Sequence, residues 1–159
     1  MFRKILFVLI AILLGIQFFR PEKNISSGAS ADAIQTVYTV PDDVQTVLNK
    51  ACRDCHSNQS TYPWYFSIQP VAWWIDHHID EGKSELNFDA FATYSPKKQH
   101  HKMEEIVEQV KSEEMPLQSY TWTHRDARLT MEERVVLTNW ASLLQKKIAE
   151  KHQLPEDKK

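Results

Sequence analysis

Glycine is scarce in this chain, with three in 159 residues. That scarcity, beside a good stock of Leu, Glu, Lys and Gln, leans the composition towards helix. Cysteine is scarcer still: there are two, and they stand so close together that a disulfide between them would close too short a loop to stabilise much. No charge of one sign dominates. Lys and Arg number 19 against 21 Asp and Glu, for a formal net charge of −2, and the two signs are mixed along the chain, which argues against a nucleic-acid footprint. No repeat or low-complexity tract is present. The length suits one domain with an N-terminal appendage. What the sequence does have in excess is tryptophan, five in all, which suggests either a flat apolar surface needing cover or core filling.

Both cysteines fall inside Cys52-Arg53-Asp54-Cys55-His56. The C-x-x-C-H spacing is the attachment signature of a c-type haem. Two thiols three positions apart lie on one side of a helical turn, where they can add to the two vinyl groups on one edge of a porphyrin. The imidazole of His56 follows directly and can ligate the iron as the proximal ligand. Arg53 and Asp54 are expected to point elsewhere and merely to be tolerated. Other chemistries use the same residues. A thioredoxin-like dithiol wants a strand before it and a βαβ setting, whereas the preceding residues look helical and His56 is left without a role. A zinc site wants four ligands at close spacing. His77, His78, His100 and His101 are available, but their spacing fits no finger.

At the N-terminus, Arg3 and Lys4 precede an apolar run from Ile5 to Phe19, broken by Gly15 and Gln17. A basic flank before a greasy segment is how a secretory signal begins. About 15–17 helical residues reach roughly 25 Å, slightly short of a bilayer core. Ala29-Ser30-Ala31 resembles a cleavage site but lies far beyond the run, and Arg20, Pro21 and Lys23 follow at once. The favoured reading is a signal or uncleaved transmembrane anchor over residues 1–20, with the bulk of the chain on the periplasmic side of a bacterial cytoplasmic membrane, or free in the periplasm if the segment is removed. Residues 21–40 read as a polar linker, 41–150 as the folded domain, and 151–159 as a charged tail whose Lys158-Lys159 end should fray.

Within the domain, Pro41-Asp42-Asp43 starts a helix. Its Val44, Val47, Leu48 and Ala51 share one apolar face and lead into Cys52. Ser57 to Gln69 reads as a loop whose Tyr62, Trp64, Tyr65 and Phe66 either cover the porphyrin or make a second small core. Pro70 opens a helix with Val71, Trp74, Ile75 and His78 on one face, stopped by Gly82. His78 is a conceivable iron ligand there, while His77 points away. Leu86 to Phe91 reads as a loop. Ser95-Pro96 caps the next helix, with Met103, Ile106, Val107 and Val110 as its buried stripe and His100 and His101 in its first turns. Residues 117–129 read as another loop. Thr130-Met131-Glu132-Glu133 is a capping box for a long core helix through Val136, Trp140, Leu143, Leu144 and Ile148.

Met115 is the best candidate for the sixth iron ligand. Pro116 disfavours the helical region for the residue before it, so the helix ends and the thioether projects from a loop. A thioether trans to histidine raises the reduction potential. Met103 and Met131 suit the role less, the first lying on a core stripe and the second opening a helix.

An early helix ending in C-x-x-C-H, a later Met-Pro and a capped C-terminal helix with a buried Trp together resemble a class I cytochrome c. More closely, the chain resembles the single-haem "haem-binding domain" family of exported bacterial proteins. The likeness rests on Cys52-Arg53-Asp54-Cys55-His56, Tyr62-Pro63-Trp64, Pro70 with Trp73 and Trp74, Leu86-Asn87-Phe88, Glu114-Met115-Pro116, and Ala127-Arg128-Leu129-Thr130 leading to Trp140. It spans about residues 40–148. The resemblance implies an all-α, cytochrome c-like domain wrapped around one covalent haem c, with thioether bonds at Cys52 and Cys55, iron between His56 and Met115, and electron exchange with redox protein partners. An extra helix between His56 and Met115, rich in Trp and His, keeps a bis-His site open. A haem-based sensor or peroxidase-like enzyme with a displaceable sixth ligand, and a C-x-x-C dithiol oxidoreductase, are the alternative functions.

Overall fold

The computed structural model describes residues 1–155, and it is all-helical. Its only β pairing among the described residues is an isolated antiparallel bridge between Ile25 and Gln59. Eight α-helices follow in order: α1 Phe2–Ile16, α2 Ile34–Val37, α3 Asp42–Ala51, α4 Arg53–His56, α5 Val71–Glu85, α6 Pro96–Lys111, α7 Gln118–Thr123 and α8 Met131–His152.

The two longest helices of the domain, α6 and α8, form its largest interface. Their starts are fixed by the residues the sequence supplies. At α6 the Ser95 hydroxyl accepts from the Lys98 N–H at 3.3 Å, with Pro96 at the first helical position, where its missing N–H costs nothing. At α8 the Thr130 hydroxyl accepts from the Glu133 N–H at 3.2 Å while the Glu133 carboxylate accepts from the Thr130 N–H at 2.9 Å, a complete capping box. Glu133 also takes Lys50 of α3 at 2.5 Å, so one side chain both starts α8 and ties it to α3. Between them lie Leu48, Met103, Leu137, Ala141 and Ile148, each almost fully buried, with Phe88 and Phe91 closing the core. The apolar face expected for α3 (Val44, Val47, Leu48, Ala51) is buried throughout.

Four expectations need correction. The N-terminal helix is 15 residues long, about 22 Å at 1.5 Å per residue against roughly 30 Å for a bilayer core. Among the described residues no helix is long and apolar enough to cross a membrane, so the transmembrane anchor is not supported. The end of the stretch read as a linker is packed in part. Ala33 and Ile34 are fully buried, and the Tyr38 hydroxyl donates to Gln99 Oε1 at 2.6 Å. One helical turn is too short to display a period, which is why α2 did not stand out in the sequence. Gly82 does not end α5, which continues to Glu85. The segments read as loops carry short helices: 3₁₀ turns at Trp64–Ser67, Phe88–Thr93 and Arg125–Ala127, besides α7. The Lys158-Lys159 end lies outside the described residues.

Candidate cofactor site

A cavity of about 660 Å³ opens where α3, α4, α5 and α6 meet the Met115–Leu117 segment and α7. Its walls are largely apolar, with Leu48, Leu86, Phe88, Ile106 and Leu137 among them. Cys52, Cys55, His56 and Met115 all line it. The size falls within the usual range for cofactor pockets.

The attachment motif is a single helical turn set at an angle to α3. The Cys52 N–H still donates to Leu48 at 3.0 Å, but Cys52 departs from helical geometry (φ −126°) and the chain starts again. The N–H groups of Cys55 and His56 both close on the Cys52 carbonyl, at 3.2 and 3.0 Å. This turn places the two sulfurs on one side, as the three-residue spacing requires. Helix α5 then crosses directly over the turn at Gly82. A Cβ there would stand 2.8 Å from the Cys55 carbonyl oxygen and 3.0 Å from Cys55 Cβ. Gly82 is therefore an approach point between two backbones rather than a helix stop.

That approach orients His56. Its Nδ1 lies 2.9 Å from the Leu86 carbonyl at the end of α5. A carbonyl only accepts, so the Nδ1 atom carries the proton and Nε2 keeps its lone pair. Burial lowers the His56 pKa, opposed by the Leu86 and Gly82 carbonyls, and the ring sits edge-on to Phe88 with centroids 6.4 Å apart. A neutral imidazole with its Nδ1–H held by a backbone carbonyl is the arrangement that metal-ligating histidines use.

Arg53 and Asp54 are not idle, contrary to expectation. Arg53 donates to Asp89 Oδ1 at 3.2 Å and to Gln35 at 3.2 Å, joining the motif to the Phe88–Thr93 turn and to α2. Asp54 accepts from the Thr61 N–H at 3.0 Å and from the Tyr120 hydroxyl at 2.8 Å. Tyr120 itself lines the cavity and stacks on His124 with centroids 4.1 Å apart. Burial first, and the Asp54 carboxylate second, push the Tyr120 pKa up, so the phenol stays protonated and donating. Lys102 also lines the cavity. It is 8 % exposed and held between Glu85 at 3.2 Å and Glu105 at 2.6 Å. Burial works against its charge, but the two carboxylates outweigh it and raise its pKa. Sequence reasoning missed Asp54, Gly82, Lys102 and Tyr120.

Of the other candidates, His78 lines the cavity and its Nδ1 faces Glu81 at 3.3 Å. His77, His100 and His101 do not line it. Met103 is fully buried in the core, and Met131 is 73 % exposed. Met115 lies beyond the end of α6, after Glu113 in left-handed conformation (φ 63°), and its N–H returns to the Gln109 carbonyl at 3.1 Å. Tyr62, Trp64, Tyr65 and Phe66 are absent from the walls. Of the two roles left open for them the second is taken in part: Phe66 is buried with Tyr62 4.2 Å away, while Trp64 is exposed.

The chemistry of the wall separates the possible cofactors. Among the described residues no group of three or more His, Cys, Asp or Glu comes together as a metal cluster. Both cysteines are free, and burial pushes their thiols up to about 12 for Cys52 and about 11 for Cys55. A dithiol oxidoreductase needs a depressed thiol pKa to hold a nucleophilic thiolate, the opposite of what is found. Two thiols, one imidazole with a free Nε2 and one thioether around an apolar cavity do fit a haem. The sequence profile of the haem-binding domain family matches residues 11–143, most of the chain, and the protein belongs to that family. It is accordingly a haem-binding protein. No curated protein and no solved structure gives a significant match.

Proposed function

We propose that the protein is a monohaem c-type cytochrome of the periplasm, exported by its basic-flanked N-terminal segment and passing single electrons between redox protein partners. The observation that carries this reading is the cavity that gathers Cys52, Cys55, His56 and Met115 from α3, α4 and the chain after α6. Haem supplies the one-electron couple. Cys52 and Cys55 would hold it by thioether bonds, His56 Nε2 would ligate the iron, and Met115 Sδ would take the sixth position. The Leu86 carbonyl fixes the orientation and tautomer of the His56 ring. The apolar walls exclude water, and a thioether ligand raises the potential.

Spectra of Met115→Ala against the wild type test the assignment. The wild type should show the thioether-to-iron band at the red end of the ferric spectrum and refuse carbon monoxide when reduced. The variant should lose the band and bind carbon monoxide. A wild type that binds carbon monoxide readily contradicts electron transfer in favour of a sensor or peroxidase-like enzyme. One specific observation supports a bis-His variant of the same reading. His78 lines the cavity, and with Nδ1 donating to Glu81 its Nε2 is left with a lone pair. In that case His78→Ala, not Met115→Ala, opens the sixth position.

A further inference from the structure

Haem binding leaves the tryptophans unexplained. None of the five lines the cavity, and Trp140 is the only buried one. Trp64, Trp73 and Trp74 are 78, 40 and 47 % exposed, and Phe18 and Phe19, just past α1, are 88 and 70 % exposed. Hydrogen bonds tie Trp73 and the backbone of Phe19 together through Gln17 and Gln69. Gln69 is 1 % exposed; its N–H donates to Gln17 Oε1 at 2.9 Å and its carbonyl accepts from Gln17 Nε2 at 3.2 Å. The Gln69 side-chain amide and the Trp73 indole N–H both donate to the Phe19 carbonyl, each at 2.8 Å. The end of α1 is thereby pinned to Gln69 and the start of α5, against which the Trp64–Ser67 turn packs.

From that pin projects α1, a helix apolar on every side with no buried residue. A helix apolar all round belongs in an apolar medium, and an exposed apolar surface of this extent marks an interaction site. Arg3 and Lys4 stand at its far end, and Arg20 and Lys23 are exposed at its near end. We propose that α1, Phe18-Phe19 and the Trp64, Trp73 and Trp74 surface form one lipid-interface site, which seats the domain on an anionic bilayer with the tryptophans at headgroup level. Indoles are enriched at that level because one end is apolar and the other wet, and basic residues beside them are drawn to anionic headgroups. Burial of α1 in the acyl boundary needs no crossing, in keeping with its length. The pin also argues for retention: removing residues 1–20 would strip Gln69 and Trp73 of four hydrogen bonds. Helix α5 then runs from the lipid face at Trp73 to Gly82 at the cofactor site, about 14 Å along its axis at 1.5 Å per residue.

The site rests on the reading of the chain as exported with its N-terminal segment retained, and not on haem. Its test is hydrogen exchange of the full-length protein with vesicles of phosphatidylcholine and phosphatidylglycerol, with intact mass and visible absorbance read on each sample. Amides of residues 62–75 should gain protection on adding vesicles, while those of 118–124, which carry the exposed Trp122, should not. A Trp64→Ser/Trp73→Ser/Trp74→Ser variant should bind the vesicles about ten-fold more weakly, since three interfacial indoles are removed, and lose that protection. Gln17→Ala should keep vesicle binding through α1 but lose protection at 62–75. Vesicle binding without protection of 62–75 would make α1 a free tether and overturn the site. So would protection that rises with protein concentration without lipid, which would assign the surface to a second copy, or a mature chain lacking residues 1–20. A colourless protein that still docks refutes the haem reading alone; a red protein that does not dock refutes only the lipid site.

Discussion

Tyr120 and Asp54 carry a contact across 66 positions of sequence, and it joins α7 to the Cys52–His56 turn. Tyr120→Phe removes the donor and leaves a half-buried carboxylate oxygen unsatisfied, at a cost of about 1–2 kcal/mol. Urea unfolding should show that loss with the haem retained; an unchanged midpoint would mean that Asp54 finds another donor. Glu133 makes a pH-dependent contribution. The Lys50 ammonium, and next the Thr130 N–H, hold its carboxyl below the ordinary value of 4.5. A depressed pKa stabilises the folded state above the unfolded value, and that stability is lost as pH falls through the folded one. Stability should therefore fall on acidification below about pH 4.5, and Glu133→Gln should flatten that limb while lowering neutral stability by less than about 1 kcal/mol, because the pair is partly exposed and screened. An unaltered acid limb in the variant would contradict this. At this scale the sequence revealed the residues whose chemistry is local. C-x-x-C-H raises its expectation by spacing alone, and the fold brings its three chemical side chains to one cavity. The second partners of Arg53 and Asp54 come from distant segments, and no local pattern announces them.

Among the elements, α5 shows how one residue is misread when its neighbours are unknown. A glycine near the end of an apolar stripe reads as a stop. In the fold it is the place where α5 touches the Cys55 backbone, a constraint set by a residue 27 positions earlier in the chain and invisible to periodicity. Two effects oppose each other in Gly82→Ala. Helix propensity favours alanine by about 1 kcal/mol, while a Cβ 2.8 Å from a backbone carbonyl forces the elements apart at about 1–3 kcal/mol. The clash should win, with a lower melting temperature and less haem incorporated. Gly15→Ala, with nothing within 4 Å of the added carbon, is the control and should do neither. A Gly82→Ala protein as stable and as red as the wild type would remove the close approach from the account. The long elements were readable in the main, but the faces were not all placed correctly: Leu143, expected in the core stripe of α8, is 67 % exposed, and α5 buries Ala72 and Ile79 rather than Trp74. Capping signals at Ser95 and Thr130, the stripes of α3 and α6, and Trp140, Leu144 and Ile148 of α8 agree with the fold because these helices bury one face each. The single-turn elements were not readable, α2 above all.

For the molecule as a whole, the helices do not close on one another but around a cavity of about 660 Å³, lined by core residues such as Leu48, Phe88 and Leu137. A cofactor seated among those apolar side chains would gain contacts on every wall and would complete the core as well as provide the chemistry. The sequence carries the same expectation, since a short chain with short helices gains much of its interior by wrapping a ring. The seating of α1 and the tryptophans outside the cavity was not legible, since apolar residues look alike whether they face a cofactor, a core or a membrane. The central claim is that one porphyrin is held covalently through Cys52 and Cys55. Intact mass of the matured protein, read with its alkaline pyridine spectrum, tests it most directly. The account predicts a mass equal to the polypeptide plus a single haem, with the spectrum of a haem joined by two thioethers. A mass equal to the polypeptide alone, with no Soret absorption, would contradict it.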